Sequence, residues 1–236
     1  MAVQQPDLEC LFPGQDELAH RLRELDWSLT DLGPVAGWSA SLSAAVRFCL
    51  TARFPSALYW GPSLTLVYNA AYAPLLGTDA HLRCLGRPLS QIDGGHSLLP
   101  RLLRLRQGAQ GDLGTDERFF IARAVPREEV YFRFSYSPLV GADGKTVEGV
   151  LAFATEVTDH VVSARRLETL RKLGIRSATA RTLQAVGQQA AQVMGDNPHD
   201  IQFAAVYLTD EGGQRATLAA TTRLGGAPGL PTSVAT

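Results

Sequence analysis

The sequence has few cysteines, no excess of charge of either sign and no long apolar run. Its 3 cysteines, Cys10, Cys49 and Cys84, are widely spaced and form no C-x-x-C pair. This spacing argues against a disulfide framework or a zinc site, and it favours a reducing, cytoplasmic location. The net charge is −1, with 22 basic and 23 acidic residues, so we expect no nucleic-acid partner. No apolar run approaches the roughly 18 residues that span a bilayer, and the N-terminus lacks a signal-peptide pattern, so we expect no membrane insertion.

The sequence also lacks the residue patterns of the common enzyme classes. We find no G-x-G-x-x-G, P-loop or G-x-S-x-G motif, and no pair of histidines at metal-ligand spacing. The histidines are His20, His81, His96, His160 and His199. We therefore assign no catalytic residue and no metal ligand, and we expect that this chain is not itself an enzyme.

The most informative stretch of the sequence is the segment 54–77. Two short apolar runs, 56–60 and 64–68, are separated by a Gly-Pro-Ser break, which predicts two strands joined by a turn. A helical segment over 69–76 follows at once, and Asn69 is placed to cap it.

Further elements are predicted on both sides of this segment. Periodic leucines predict a short helix over 16–25, and Ser39 is a predicted N-cap of a second helix. A helix over 98–106 carries Arg101, Arg104 and Arg106, which we interpret as a solvated face rather than a phosphate site. The glycine-rich segment 107–115 is predicted to be a loop, and strands are predicted over 118–123, 130–139 and 147–157.

The region 38–159 resembles a PAS domain, in particular the PAS modules that precede a GAF domain in bacterial sensor histidine kinases. The resemblance is carried by segments 25–46, 53–77 and 85–92, and by YFRFSYSP within 131–167. It implies an α+β fold with a five-stranded antiparallel sheet, flanking helices and an exit signalling helix. Residues 176–236 resemble the start of a GAF domain, a helix and a hairpin. The predicted divisions are an N-terminal extension with a short helix (1–37), the PAS domain (38–159), a connector helix (160–175) and the partial GAF-like segment (176–236).

The resemblance implies a sensory input module of two-component signal transduction. Its core would sense a small ligand or a partner and pass the change through the exit helix to an output domain absent from this chain. Glu156, Thr158 and Asp159 match the exit motif, although Thr158 or Asp159 also suits a helix N-cap. The alternative is a stand-alone interaction module without ligand. Whether the chain is a fragment or a full reading frame stays open.

A ligand pocket is expected on one face of the sheet. Because burying Arg133 unpaired would be costly, we expect the aromatic face of its strand to point inward, and ordinary core packing without a ligand is the alternative. The candidate lining residues are Leu58, Trp60, Leu66, Tyr68, Phe132, Phe134, Tyr136 and Phe153.

The ligand itself is not identified by the residues. His96 is the one candidate for a haem ligand, and a loop histidine is the favoured interpretation. Cys84 lies in LRCLGR, which does not match the reactive-cysteine motif of flavin-binding light sensors, so neither haem nor covalent flavin is expected. The resemblance also implies a homodimer formed through the N-terminal and exit helices.

Overall fold

The structure is a computed structural model that describes residues 7–77, 81–92, 95–108, 110–121, 127–222 and 230–235. The chain divides into two compact units, Met1–Thr158 and Asp159–Thr236, and the four-part division of the sequence stays a prediction. The helices are α1 (Leu8–Leu11), α2 (Glu17–Glu24), α3 (Ala40–Thr51), α4 (Ala73–Leu76), α5 (His81–Cys84), α6 (Gly95–Arg106), α7 (Thr158–Thr179) and α8 (Leu183–Gly195). The strands are β1 (Ser56–Trp60), β2 (Thr65–Tyr68), β3 (Asp112–Ile121), β4 (Glu128–Val140), β5 (Val147–Glu156), β6 (Ala204–Thr209), β7 (Arg215–Thr222) and β8 (Ser233–Ala235).

The first unit is built on a five-stranded antiparallel sheet in the order β2-β1-β5-β4-β3. This confirms the predicted α+β, PAS-like fold class. The register places Tyr59 opposite both Leu66 and Val150, and Tyr136 opposite Ala152. Because residues directly opposite in a sheet share a face, these side chains define the inner face. Asn69 caps the helical segment after β2 as predicted, since its Oδ1 accepts the amide of Tyr72 at 3.1 Å.

The N-terminal extension belongs to the core of the first unit, although its first residues carry no predicted element. Phe12 is fully buried, with its ring stacked 5.7 Å from Trp27 and edge-on to Trp38 at 5.9 Å. Asp7 begins helix α1 by accepting the backbone amides of Glu9 and Cys10. A helix of 4 residues shows no periodicity, and this is why the sequence pattern did not predict it.

Helix α3 covers the outer face of the sheet at β1 and β2. Ser39 caps it as predicted, because its hydroxyl accepts the Leu42 amide at 3.1 Å. Cys49 is fully buried, and this burial raises the pKa of its thiol to about 12. It is therefore a core residue, as expected for a cysteine on an apolar helix face.

Several boundaries differ from the sequence prediction. Strand β3 begins at Asp112, inside the predicted loop. Asp112 and Leu113 still pair with β4, although the register shifts between Leu113 and Asp116. Helix α6 begins at Gly95, three residues early, so His96 lies exposed in its first turn rather than in a loop. A Cβ at Gly95 would lie 2.3 Å from the Leu89 carbonyl oxygen, so only glycine fits there. Residues 122 and 123 of a predicted strand lie outside the described residues.

The second unit contains helices α7 and α8 and an antiparallel sheet in the order β6-β7-β8. Thr182 caps α8 by accepting the Ala185 amide at 3.1 Å. The predicted helix and hairpin are present, but Ser233–Ala235 adds a third strand beside β7. The sequence pattern missed this strand because it has only 3 residues. In the part of the chain that the structure describes, no helix has the length and hydropathy needed to cross a membrane.

Candidate functional site

The inner face of the PAS-like sheet and the helices between β2 and β3 border a half-open cavity of about 540 Å³. Aromatic side chains from β1, β3 and β4 form its sheet side, and aliphatic side chains of α4, α6 and the turn before α6 form its helix side. This volume lies in the range of small-molecule sites. The lining residues are Tyr59, Leu66, Tyr72, Leu75, Leu76, Leu89, Ile92, Gly95, Ser97, Leu98, Pro100, Arg101, Arg104, Glu117, Phe119, Phe134 and Tyr136.

Phe119, Phe134 and Tyr136, on β3 and β4, form an aromatic wall on the sheet side, and Tyr72 from the turn after β2 packs beside it. The rings of Phe134 and Tyr136 stack 5.9 Å apart at an interplanar angle of 17°. Phe119 and Tyr72 then contact the Phe134 ring at 5.9 and 6.5 Å. Such offset and edge-on pairs are favourable arrangements of aromatic rings, so this wall is a preformed surface for a flat apolar group.

Two buried tyrosines place hydroxyl groups in the cavity lining. The hydroxyls of Tyr59 and Tyr72 lie 3.3 Å apart and share a hydrogen bond. Burial raises the pKa of both phenols, that of Tyr72 to about 12 and that of Tyr59 well above its usual value. Both side chains are therefore neutral at physiological pH and offer hydrogen bonds but no charge.

Charged side chains from α6 and β3 gather at one end of the cavity. The Arg101 Nε lies 3.0 Å from the Asp112 carboxylate, and its Nη1 lies 3.5 Å from that of Glu117. The Arg101 guanidinium also lies over the Tyr136 ring, 5.3 Å from its centroid. Burial raises the pKa of Tyr136 despite the neighbouring arginine. The cavity thus has an apolar body and one polar end, as ligand sites usually do.

Three of the eight predicted pocket residues, Leu66, Phe134 and Tyr136, line this cavity. The aromatic face of β4 points inward as expected, and Arg133 on the other face pairs with Asp116 at 2.6 Å. Phe132 is also on the inner face, but it lines a smaller neighbouring cavity of about 370 Å³.

The other four predicted residues lie elsewhere, which corrects the sequence prediction. Leu58 and Trp60 lie on the opposite face of β1 from Tyr59. Phe153 packs outside the cavity, edge-on to Phe48 at 6.1 Å. Tyr68 lies beyond the lining residues, with its hydroxyl donating to the His81 carbonyl at 2.5 Å.

Sequence reasoning missed Tyr59, Tyr72, Arg101 and Arg104 as lining residues. The face of β1 that carries Tyr59 was not identifiable, because all five residues of this strand are buried. For the arginines a signal did exist. Ser97, Arg101 and Arg104 are spaced by four and three residues, which places them on one face of a helix.

Comparison with known proteins adds a weak likeness to sensory domains. No protein-family model and no curated protein matches the chain. Among solved structures, the VqmA dimer of Vibrio cholerae is 16% identical over 50% of this chain and 52% of that one, with a TM-score of 0.36. An RNA-binding light-oxygen-voltage receptor is 22% identical over 64% and 43%, with a TM-score of 0.39. The PAS domain of Bordetella pertussis BvgS is 14% identical over 56% and 98%, with a TM-score of 0.36.

Two of these alignments span only about half of the neighbour's own length.

The predicted exit motif lies where β5 ends and α7 begins. The Tyr131 amide donates to the Thr158 hydroxyl at 2.9 Å, and this hydroxyl donates to the Glu156 carboxylate at 2.9 Å. The Val157 amide donates to the Tyr131 carbonyl at 2.8 Å. Glu156 and Thr158 therefore tie the start of α7 to strand β4, the strand that also carries Phe134 and Tyr136. Asp159 is the exposed next residue in the first turn of α7.

The described residues contain no group of three or more histidine, cysteine or acidic side chains that is arranged to hold a metal ion. His96 is exposed, and neither His96 nor Cys84 is among the residues that line the main cavity.

Proposed function

We propose that this chain is a sensory module whose PAS-like unit binds a small molecule in the cavity of about 540 Å³. The observation that carries the proposal is the combination of an aromatic wall, buried neutral hydroxyls and one polar end in a single half-open cavity. A half-open cavity of this size, mostly apolar with a few converging polar groups, is the usual form of a small-molecule site.

Output is proposed to leave through the junction between β5 and α7. Strand β4 contributes Phe134 and Tyr136 to the cavity and Tyr131 to the junction, so one strand contacts both places. A ligand that shifts β4 would alter the hydrogen bonds to Thr158. Such a change transmits a signal only if the ligand favours one of two arrangements of the junction.

We further propose that the chain is an input module of a two-component pathway, that its second unit is the start of a GAF-like domain, and that it has no catalytic activity of its own. The resemblance of the sequence to the PAS–GAF part of sensor histidine kinases supports these finer assignments. A phosphorylation assay with labelled ATP tests the last point, and incorporation of label into the purified chain would contradict it.

Dimerisation is proposed to use the apolar stripe of α7. The stripe consists of apolar residues at a spacing of three, which lie along one side of the helix: Val161, Ala164, Leu167, Leu170 and Leu173. Leu167 and Leu170 are 68% and 64% exposed, so they offer a surface for pairing with a second copy of the same helix. Sedimentation of the full chain should give a dimer, and Leu167→Glu should give a monomer. Leu183→Glu changes an equally exposed leucine outside the stripe and should leave the dimer intact. Equal behaviour of both variants would contradict the proposal.

Ligand binding is tested by native mass spectrometry of freshly purified protein. We expect an additional non-covalent mass on the wild-type chain that is released on unfolding. Leu98→Trp places an indole in the cavity and should abolish the additional mass. Leu103→Trp makes the same change at a residue of α6 that does not line the cavity, so it should retain the mass. Consistently empty wild-type protein would favour the alternative, an interaction module without ligand.

A further inference from the structure

The polar end of the cavity is built from one face of helix α6. Ser97, Arg101 and Arg104 all line the cavity, and their spacing of four and three residues stacks them along the helix. Leu102 and Leu105, on the neighbouring face of α6, are buried in the core and anchor the helix. The position of the two guanidinium groups is therefore set by the packing of the helix.

Arg101 is already neutralised by protein groups. It pairs with Asp112 at 3.0 Å and with Glu117 at 3.5 Å, and its guanidinium lies over the Tyr136 ring. Removing it would leave two carboxylates without their partner at the edge of an apolar cavity. We therefore assign Arg101 a positioning role, because it holds strand β3 against α6 and keeps the end of the cavity polar.

Arg104 differs from Arg101 in having no such partner. Within the described residues its side chain makes no ion pair and no hydrogen bond, yet Arg104 lines the cavity and is exposed. The charges of Arg101, Arg104, Asp112 and Glu117 sum to zero, so long-range attraction of an anion is weak. At short range, however, the Arg104 guanidinium can donate two parallel hydrogen bonds, a geometry that matches the two oxygens of a carboxylate.

The rest of the cavity selects for shape. The aromatic wall of Phe119, Phe134 and Tyr136 faces aliphatic side chains from α4, α6 and the preceding turn. A flat ring system between these surfaces stacks on one side and is packed by leucines on the other. A single acidic group on that ring would extend toward Arg104.

We infer that the ligand of this cavity is a planar aromatic molecule that carries one carboxylate, with Arg104 as the residue that selects the acidic group. The inference rests on the proposed function, since it names the class of molecule for the same cavity.

Three probes that differ in one property each test the inference. They are 2-naphthoate, its uncharged amide 2-naphthamide, and the saturated decahydro-2-naphthoate. Isothermal titration calorimetry on the full chain should show the tightest binding for 2-naphthoate. We expect the amide to bind about tenfold more weakly, because it loses the charge-assisted hydrogen bonds to Arg104. The saturated acid should also bind more weakly, because it cannot stack on the aromatic wall.

Arg104→Gln should reduce the affinity for 2-naphthoate about tenfold and leave that for 2-naphthamide unchanged. Arg47→Gln is the matched control, since Arg47 is an exposed arginine on α3 outside the cavity. Equal affinities for acid and amide, or an unchanged affinity in Arg104→Gln, would overturn the role of Arg104. Equal binding of the saturated acid would overturn the aromatic requirement, and no binding of any probe would overturn the ligand class. An endogenous ligand detected by mass spectrometry would still support ligand binding in the cavity after any of these results. The proposed ligand class can therefore fail while the proposed function stands.

Discussion

The two units of the chain are stabilised in different ways. The first, Met1–Thr158, has one continuous apolar core that includes Phe12, Trp27 and Leu102. In the described part of the second, the buried apolar side chains are Ala191, Val193 and Ala216. A large core tolerates a cavity, because its many other apolar contacts offset the stability lost where the lining side chains have no packing partner. The difference explains why the candidate ligand site lies in the first unit.

The second unit relies instead on a polar cluster. The Arg165 guanidinium donates to both oxygens of the Asp200 carboxylate at 2.8 Å. The Asn197 amide donates to Asp200 at 2.8 Å and to the Thr169 hydroxyl at 3.0 Å. The Asp200 side chain is only 12% exposed, so these contacts are shielded from water. They join α7 to the segment that follows α8, which helps to fix the connector helix within the second unit.

The largest expected effect tests the core of the first unit. Phe12→Ala should lower the free energy of unfolding of this unit by about 3–5 kcal/mol, because it removes a fully buried ring between two tryptophans. Tryptophan fluorescence during urea unfolding reports on this unit alone, since Trp27, Trp38 and Trp60 are the 3 tryptophans of the chain. The control Phe48→Ala, at a 59% exposed ring, should cost far less. Equal losses would show that the N-terminal extension is not part of the core.

The next prediction concerns the polar cluster of the second unit. Asp200→Asn should destabilise this unit by about 2 kcal/mol, because it breaks a shielded, bidentate charged hydrogen bond. Amide hydrogen exchange in α8 and β6 should become faster, while the tryptophan-detected transition stays unchanged. Glu168→Gln is the control, since its pair with Arg171 is exposed, and it should have little effect. A shift of the tryptophan transition by Asp200→Asn would contradict the independence of the two units.

The same carboxylate predicts how the second unit responds to acid. Hydrogen bonds from Arg165 lower the pKa of Asp200 from 3.8 to about 2. Because the folded state holds the proton less tightly than the unfolded state, the stabilisation is complete above pH ~5 and is lost as the pH falls toward 2. Hydrogen exchange in α8 should therefore accelerate between these values in the wild type.

Asp200→Asn is the comparison for this pH series, and it should flatten the response. The first unit also contains a carboxyl with a lowered pKa, Asp143, which accepts hydrogen bonds from Thr146 and Lys145. Both units therefore respond to acid, and only the comparison with Asp200→Asn identifies the part of the response that comes from Asp200. An identical pH response in wild type and Asp200→Asn would contradict the assignment.

The smallest expected effect is at the junction. Thr158→Val removes the hydroxyl that accepts the Tyr131 amide, and it should cost about 1 kcal/mol. Exchange of the Tyr131 amide should become faster, whereas Thr158→Ser should preserve it. If the Tyr131 amide exchanges equally fast in Thr158→Ser and Thr158→Val, the Thr158 hydroxyl does not hold the start of α7 to β4.

Local chemistry made much of the first unit predictable. Asn69 was identified as a cap, and the structure adds that its amide donates to the carbonyls of Ala52 and Phe54 while its oxygen accepts the Ser56 amide. One side chain thus fixes the start of β1 and the end of β2. The inward face of β4 was also predictable, because Arg133 alternates with three aromatic residues. A charged guanidinium is more stable in water or beside Asp116 than in an apolar core.

The rest depends on long-range pairing, which local sequence patterns show only in part. Arg101 and Arg104 looked like a solvated helix face because the partners of Arg101, Asp112 and Glu117, lie on a strand whose start was hidden in a glycine-rich segment. The choice between Leu58 and Tyr59 depends on α3, which buries the outer face of β1 as fully as the cavity side. Alternation cannot distinguish the two faces of a strand that is buried on both.

Hydrogen exchange of the full chain with and without 2-naphthoate tests whether the cavity of the first unit binds a planar aromatic acid. We expect protection in peptides that cover 95–106 and 128–140, which carry the polar end and the aromatic wall. We expect no change in peptides that cover 204–222 of the second unit. Unchanged exchange in 95–106, or protection confined to 204–222, would contradict binding of such an acid in this cavity.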